Sequence, residues 1–145
     1  MTTPDCSPGA DRATAFKELM QEAMTDADRF DHRQHVKLTW LAIRRYGTRA
    51  AVDLVSEGLQ RTARYVGVPQ KYNATVSRAW VELVGHHADH SDASDFDAFV
   101  DRHAALLDKR LLTRFYRPAT LASQAARTGW VLPDLAPFPW QRANE

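Results

Sequence analysis

The sequence has little of what marks several large classes of protein. It contains a single cysteine, Cys6, so it cannot form an internal disulfide, which is typical of a reducing compartment. Its 19 lysines and arginines nearly balance 18 aspartates and glutamates, and a net charge of +1 gives no general attraction to nucleic acid or to an anionic membrane. No apolar run approaches the roughly 18 residues that a membrane-spanning helix needs. We therefore expect a cytoplasmic protein whose partner is a small-molecule ligand, not a nucleic acid or a membrane, with a homodimer left open.

Familiar catalytic motifs are also missing. There is no glycine-rich phosphate loop, no His-Glu-x-x-His zinc motif, no Gly-x-Ser-x-Gly elbow and no Cys-x-x-Cys pair. The N-terminal "MTTPDCSPGADR" lacks the basic and apolar regions of a secretory signal. We interpret residues 1–11 as a disordered lead, 12–140 as a single helical domain and 141–145 as the C-terminal end. Cys6 falls in the lead, without structured neighbours to lower its pKa, so we expect no catalytic role for it.

Apolar residues recur at helical spacing along nearly the whole domain, and no segment alternates as a strand would. The spacing predicts helices over about 12–24, 31–46, 48–67, 72–88 and 121–130, with a fifth helix in chain order beginning after residue 94. Thr48 is predicted to cap the third helix, and Ser94 with Asp97 to form a capping-box start for the fifth. The closing "VLPDLAPFPW" has three prolines and cannot be a regular helix. We predict an all-α fold, a single compact domain of five to seven helices with an extended Pro-rich C-terminal tail.

Two histidines stand three residues apart in "FDHRQHVKLTWLAIRRYG", which spans residues 30–47. On a helical wheel at about 100° per residue the arginines and the lysine of this helix lie on one side. His32, His35 and Thr39 lie on the other side, with the apolar residues. We therefore predict that both histidines face inward, where they are neighbours on one helix face.

The fourth helix carries a matching set of polar residues. Its apolar side includes Trp80, and Tyr72 and Asn73 stand at its beginning. Short links make consecutive helices antiparallel, so the second and fourth helices run parallel and begin at one end of the bundle. We expect Tyr72 and Asn73 to converge there with His32 and His35.

Three chemistries suit such a cluster. In an acid–base site, His32 or His35 is the catalytic group, and Tyr72, Asn73, Thr39 and Trp80 bind the ligand. In a metal site His32 and His35 are ligands, but zinc needs a third and Asn73 is a poor one, so no cofactor is predicted and a transition metal stays an alternative. In a purely structural role the histidines bond to the backbone or to Tyr72 and Asn73.

The remaining histidines are interpreted more simply. His86 and His90 in "HHADH" have a spacing seen in metal sites, but they end a helix, where histidines favour the dipole and are usually solvated. His87 belongs to a neighbourhood different from that of Asn73, and His103 is a core residue. Our leading hypothesis is a small soluble helical enzyme or accessory enzyme that acts on an apolar or aromatic small molecule by histidine acid–base chemistry. The alternatives are a non-catalytic metal- or ligand-binding protein and a protein-interaction module.

Four stretches carry a resemblance to other proteins: "FDHRQH", "KYNATVSRAW", "LLDKRLLTRFY" and "ARTGWVLPDLAPFP". In this order they resemble the F-x-H-x-x-H, K-Y-[HN]-x-T and W-V-x-P-D-L-x-P pattern of an uncharacterised group of small bacterial all-helical proteins. Together they cover most of the chain from residue 30 to 139. The group usually has histidine where this chain has Asn73. The resemblance implies that His32, His35 and position 73 belong together, and it implies no reaction.

Overall fold

Seven α-helices make up most of the computed structural model, which describes residues 8–25 and 27–140. The helices are α1 (Pro8–Ala23), α2 (His32–Tyr46), α3 (Thr48–Tyr65), α4 (Ala74–Asp89), α5 (Phe96–Arg102), α6 (Pro118–Ala122) and α7 (Gln124–Thr128). Short 3₁₀ turns lie at Pro69–Lys71, Ala104–Leu107 and Leu111–Arg114. The predicted all-α single domain is confirmed, since the structure is 70% helical and its described residues contain no strand. None of the helices in this part of the chain combines the length and the apolar character that crossing a membrane requires.

Helices α1 to α4 pack into a four-helix core, with α2 in contact with the other three. Gly47 alone joins α2 to α3, at φ 87° and ψ 162°, a conformation that is essentially restricted to glycine. The chain therefore reverses within one residue, and α3 runs back beside α2. Helices α3 and α4 are antiparallel as well, because Thr48 at the start of α3 lies against Gly85 near the end of α4. As predicted from the short links, α2 and α4 thus run in the same direction.

Several helix starts differ from the predicted ones. Helix α1 begins at Pro8, so residues 8–11 of the predicted disordered lead are helical. A proline fits the first position because no helical bond needs its missing amide hydrogen. Residues 1–7, including Cys6, lie outside the described part of the chain. The fifth helix is capped by Asp95, whose side chain accepts from the Ala98 amide at 2.8 Å, and not by Ser94.

Two more boundaries depart from the pattern. Thr48 is the first residue of α3 and not its cap, since Gly47 occupies the capping position and no side chain bonds there. The last predicted helix, 121–130, is divided into α6 and α7 at Ser123, which is extended and accepts from the Ala126 amide at 3.1 Å. A serine that caps a new helix in this way stops the preceding one.

The C-terminal tail lies across the domain, as predicted. The Thr75 hydroxyl of α4 donates to the carbonyl of Gly129 at 2.6 Å and accepts from the amide of Val131 at 3.0 Å. The buried Tyr116 hydroxyl donates to the Val131 carbonyl at 2.6 Å. Further on, Phe138 is 1% exposed in the core. The tail is therefore held by buried hydrogen bonds and by an aromatic side chain at its far end.

Candidate functional site

The first residue of α2, His32, makes a hydrogen bond to the backbone through one of its ring nitrogens. Asp31 caps the helix by accepting from the Gln34 amide, which starts α2 at His32. The Nε2–H of His32 donates to the carbonyl of Leu106 at 2.9 Å, because a carbonyl can only accept. Its ring meets Trp80 of α4 edge-on at a centroid distance of 4.5 Å. His32 thus joins α2 to α4 and to the 3₁₀ turn Ala104–Leu107.

One turn later, His35 has a buried ring nitrogen without a partner. Its ring centroid lies 6.1 Å from that of His32 and 6.2 Å from that of Phe30. Its Nε2 is buried and makes no hydrogen bond within the part of the chain that the structure describes. The fully buried Thr39 hydroxyl donates to the backbone carbonyl of His35 at 2.9 Å, so it does not reach the ring nitrogen.

The surroundings of His35 disfavour its charged form. Burial penalises the imidazolium and, with a further contribution from nearby His32, lowers the pKa of His35 from 6.5 to about 4. At neutral pH the ring is therefore uncharged and keeps one nitrogen that accepts and one that donates. The His35 side chain as a whole is half-buried, and its buried, unpaired Nε2 can bind a hydroxyl or accept a proton from a bound molecule.

Asn73 uses both ends of its amide to fix the beginning of α4. Its Oδ1 accepts from the Val76 amide at 2.9 Å, and its Nδ2 donates to the Leu121 carbonyl at 2.7 Å. Trp80, which His32 contacts, is seven residues further along, about 10 Å up the helix. Across residues 8–25 and 27–140, no hydrogen bond joins Asn73 to either histidine. The half-buried Tyr72 stands just before it, after the 3₁₀ turn Pro69–Lys71.

An apolar groove shares the side chain of Phe30 with the surroundings of His35. It lies between α1 and α3, has a volume of about 810 Å³ and is lined largely by apolar side chains, including Phe16, Met20, Met24 and Phe30. Phe30 belongs to the link before α2 and is 39% exposed. Its ring lines the groove and lies 6.2 Å, centroid to centroid, from that of His35, so Phe30 connects the groove to the surroundings of the half-buried imidazole.

A second histidine cluster forms where α4 ends. The ring of His87 lies 4.8 Å from that of His103, the C-cap of α5, although the two residues are far apart in sequence. His86 contacts His90 at 4.8 Å and Trp140 of the tail at 5.2 Å. Partial burial lowers the pKa values of His86, His87 and His103, and neighbouring cations would lower them further. Only His86 and His90 are recognisable as a pair from their spacing, because the contact of His87 with His103 depends on how α5 folds back against α4.

Neither a search for metal ligands nor comparison with known proteins adds a further candidate site in the described residues. Among the described side chains, no three histidine, cysteine, aspartate or glutamate residues are grouped so as to hold a metal ion. No protein-family model matches the chain, and neither a curated protein nor a solved structure was found to be similar to it. The resemblance to the bacterial helical group stays a prediction. The functional argument therefore starts from the geometry around His35.

Proposed function

We propose that this protein binds an apolar or aromatic small molecule at the Phe30 end of the groove, with His35 as the hydrogen-bonding group. The observation that carries the proposal is the buried, unpartnered Nε2 of His35. Buried polar atoms are paired in the large majority of cases, and leaving one unpaired costs about 1–3 kcal/mol. A ligand that carries a hydroxyl or a similar group supplies the missing partner.

The groove supports an apolar ligand. Its volume of about 810 Å³ falls within the range of small-molecule sites, roughly 300–1,000 Å³, and such sites combine apolar walls with a few polar groups. Phe30 both lines the groove and lies against the His35 ring. Because it is partly exposed, its side chain has space to rotate towards solvent. That rotation would bring a ligand's polar end next to His35.

The other predicted site residues have supporting roles in this proposal. His32 is held by Leu106 and packs against Trp80, so it fixes the beginning of α2. Thr39 and Asn73 bond to the backbone, and they position the helices without contacting the ligand.

A second candidate function is acid–base catalysis by the same residue. With a pKa of about 4, His35 is deprotonated at neutral pH, so it can act as a base and not as an acid, and this low pKa makes it a weak base. The close His32 ring favours this alternative, because an edge-on neighbour held by a backbone bond orients the His35 ring. Turnover of a bound ligand that is lost in His35→Gln, while binding persists, separates catalysis from binding.

Nitrogen NMR of the histidine rings tests the proposed binding. The protein is titrated at pH 7 with a panel of alkylphenols, whose apolar body and single hydroxyl match the proposed ligand. We expect the His35 ring nitrogens to shift and His35→Leu to weaken binding about tenfold, the loss of one hydrogen bond. His90→Gln is the matched control, since His90 lies exposed at the end of α4. Binding that leaves the His35 signals and the His35→Leu affinity unchanged would contradict the proposal.

A further inference from the structure

We infer that the groove between α1 and α3 takes a medium-length alkyl carboxylate, with its chain along α1 and its head group at Lys17 and Arg61. This inference rests on the proposed function in that it assigns a ligand class to the same groove. It goes beyond the His35 contact because it concerns the charged residues of the groove, and decanoate, which has no hydroxyl, probes those residues alone.

The shape of the groove fits an alkyl chain. Phe16 and Met20 lie one turn apart on α1, and Met24 follows directly after the end of the helix, so the three form one apolar strip. Gly58 of α3 lets the Phe16 ring lie directly against the α3 backbone, and Leu59 continues the apolar floor. From residue 13 to the end of α1 at residue 23 the groove follows the helix for about 15 Å, at 1.5 Å per residue. Unbranched methionines adapt to a flexible chain better than branched side chains do.

The charges along the groove favour an anion. Lys17 and Arg61 are the charged residues of its lining, and both are exposed. Within the described ranges neither of them makes a hydrogen bond or an ion pair. Glu57, one turn before Arg61 on α3, is bonded to Arg12 at 2.5 Å and not to Arg61. Two unpaired cations beside an apolar strip complement a carboxylate at the end of an alkyl chain.

The test compares three ligands with one chain length, each below its micelle concentration, by calorimetry. They are decanoate, decyltrimethylammonium and neutral decyl maltoside. We expect decanoate to bind about tenfold more tightly than the cationic ligand, as two exposed charge contacts and the matching repulsions suggest. Shortening the chain to octanoate should weaken binding by about fourfold per methylene removed. Equal affinities for the three head groups would overturn the inference.

Charge variants locate the head group. Lys17→Gln combined with Arg61→Gln should bring decanoate and decyltrimethylammonium to within threefold of each other. Lys109→Gln combined with Arg114→Gln removes the same charge from exposed residues outside the groove, and it should leave the preference unchanged. An equal loss in both double variants would overturn the inference, because it would reveal a general charge effect. A concentration-dependent dimer that excludes decanoate would overturn it too, since a second copy would then occupy the groove.

Different experimental results would overturn the inference and the proposed function. Decanoate that binds with the expected head-group preference, in a protein whose His35 ring signals do not shift with alkylphenols, supports the inference and contradicts the role of His35. Alkylphenols that shift His35, in a protein that does not bind decanoate, support the role of His35 and overturn the inference.

Discussion

Acidification should destabilise this protein through His35, and the size of the effect can be worked out from its burial. The pKa of His35 is lowered from 6.5 to about 4 in the folded chain, chiefly by burial of the ring. Between these values the unfolded chain binds a proton that the folded chain does not. Stability from this residue is therefore fully present above pH 6.5 and is lost as the pH falls towards 4.

The expected magnitude follows from 1.36 kcal/mol per pKa unit. A displacement from 6.5 to about 4 corresponds to about 3 kcal/mol once the pH is below both values. At pH 5, where unfolding is easier to measure than at pH 4, the same linkage relation predicts a loss of about 2 kcal/mol in the free energy of unfolding. Such a loss is a large fraction of the roughly 5–15 kcal/mol that stabilises a domain.

Urea unfolding of the wild type and of His35→Leu, in half-unit steps from pH 7 to pH 5, measures the effect. At pH 7 the variant should be more stable by about 1 kcal/mol, since it removes an unpaired buried nitrogen. The gap should widen by about 2 kcal/mol at pH 5. His86, His87 and His103 also have lowered pKa values, but they remain in both proteins and cancel in the difference.

A matched variant excludes a general histidine effect. His90→Gln replaces an exposed histidine at the end of α4, and the gap between His35→Leu and wild type should be unchanged in its background. Curves for wild type and His35→Leu that stay parallel from pH 7 to pH 5 would refute the reasoning. They would mean that the imidazole takes up a proton in the folded state as easily as in the unfolded chain.

Three further substitutions test the packing, each by urea unfolding. Gly58→Ala places a Cβ 2.1 Å from the buried Phe16 ring. We expect the free energy of unfolding to fall by about 1–2 kcal/mol despite the better helix propensity of alanine. An increase would show that the Phe16 ring can move away. Gly47→Ala meets no atom within 4 Å, so its expected loss of about 1–3 kcal/mol is backbone strain alone, and an unchanged midpoint would contradict it. Thr75→Val removes the buried hydroxyl that bonds the Gly129 carbonyl and the Val131 amide, and should cost about 1–2 kcal/mol and speed hydrogen exchange at the Val131 amide, whereas Thr113→Val, at an exposed site, should do neither.

The ends of the long helices are predictable because particular residue types mark them. Helices α2 and α3 begin and end within two residues of their predicted limits, since Gly47 and Gly67 both have positive φ and bound strongly amphipathic segments. Helix starts are less predictable because several polar residues compete for the same cap. Ser94 and Asp95 are both good caps, and only the structure decides for Asp95.

The candidate site is harder to predict because a helical wheel gives direction around an axis, not position along it. The wheel places His32 on the inward side, where it does contact α4. The contact is with Trp80, however, and not with Asn73 at the helix start. The partner of His32, the Leu106 carbonyl, comes from a 3₁₀ turn 74 residues away, and local sequence carries no signal for that bond.

The distribution of hydrogen bonds narrows the candidate site to one atom. Four other inward-facing polar side chains each donate a hydrogen bond to a backbone carbonyl: those of His32, Thr39, Asn73 and Thr75. The fold therefore supplies hydrogen-bond partners for inward-facing polar groups at several places, including Thr39, one turn after His35 on the same helix. An unpaired nitrogen costs about 1–3 kcal/mol, and such local departures from good packing tend to occur at functional sites. The isolated position of His35 Nε2, one ring away from an apolar groove, is therefore the strongest reason to look for the function there.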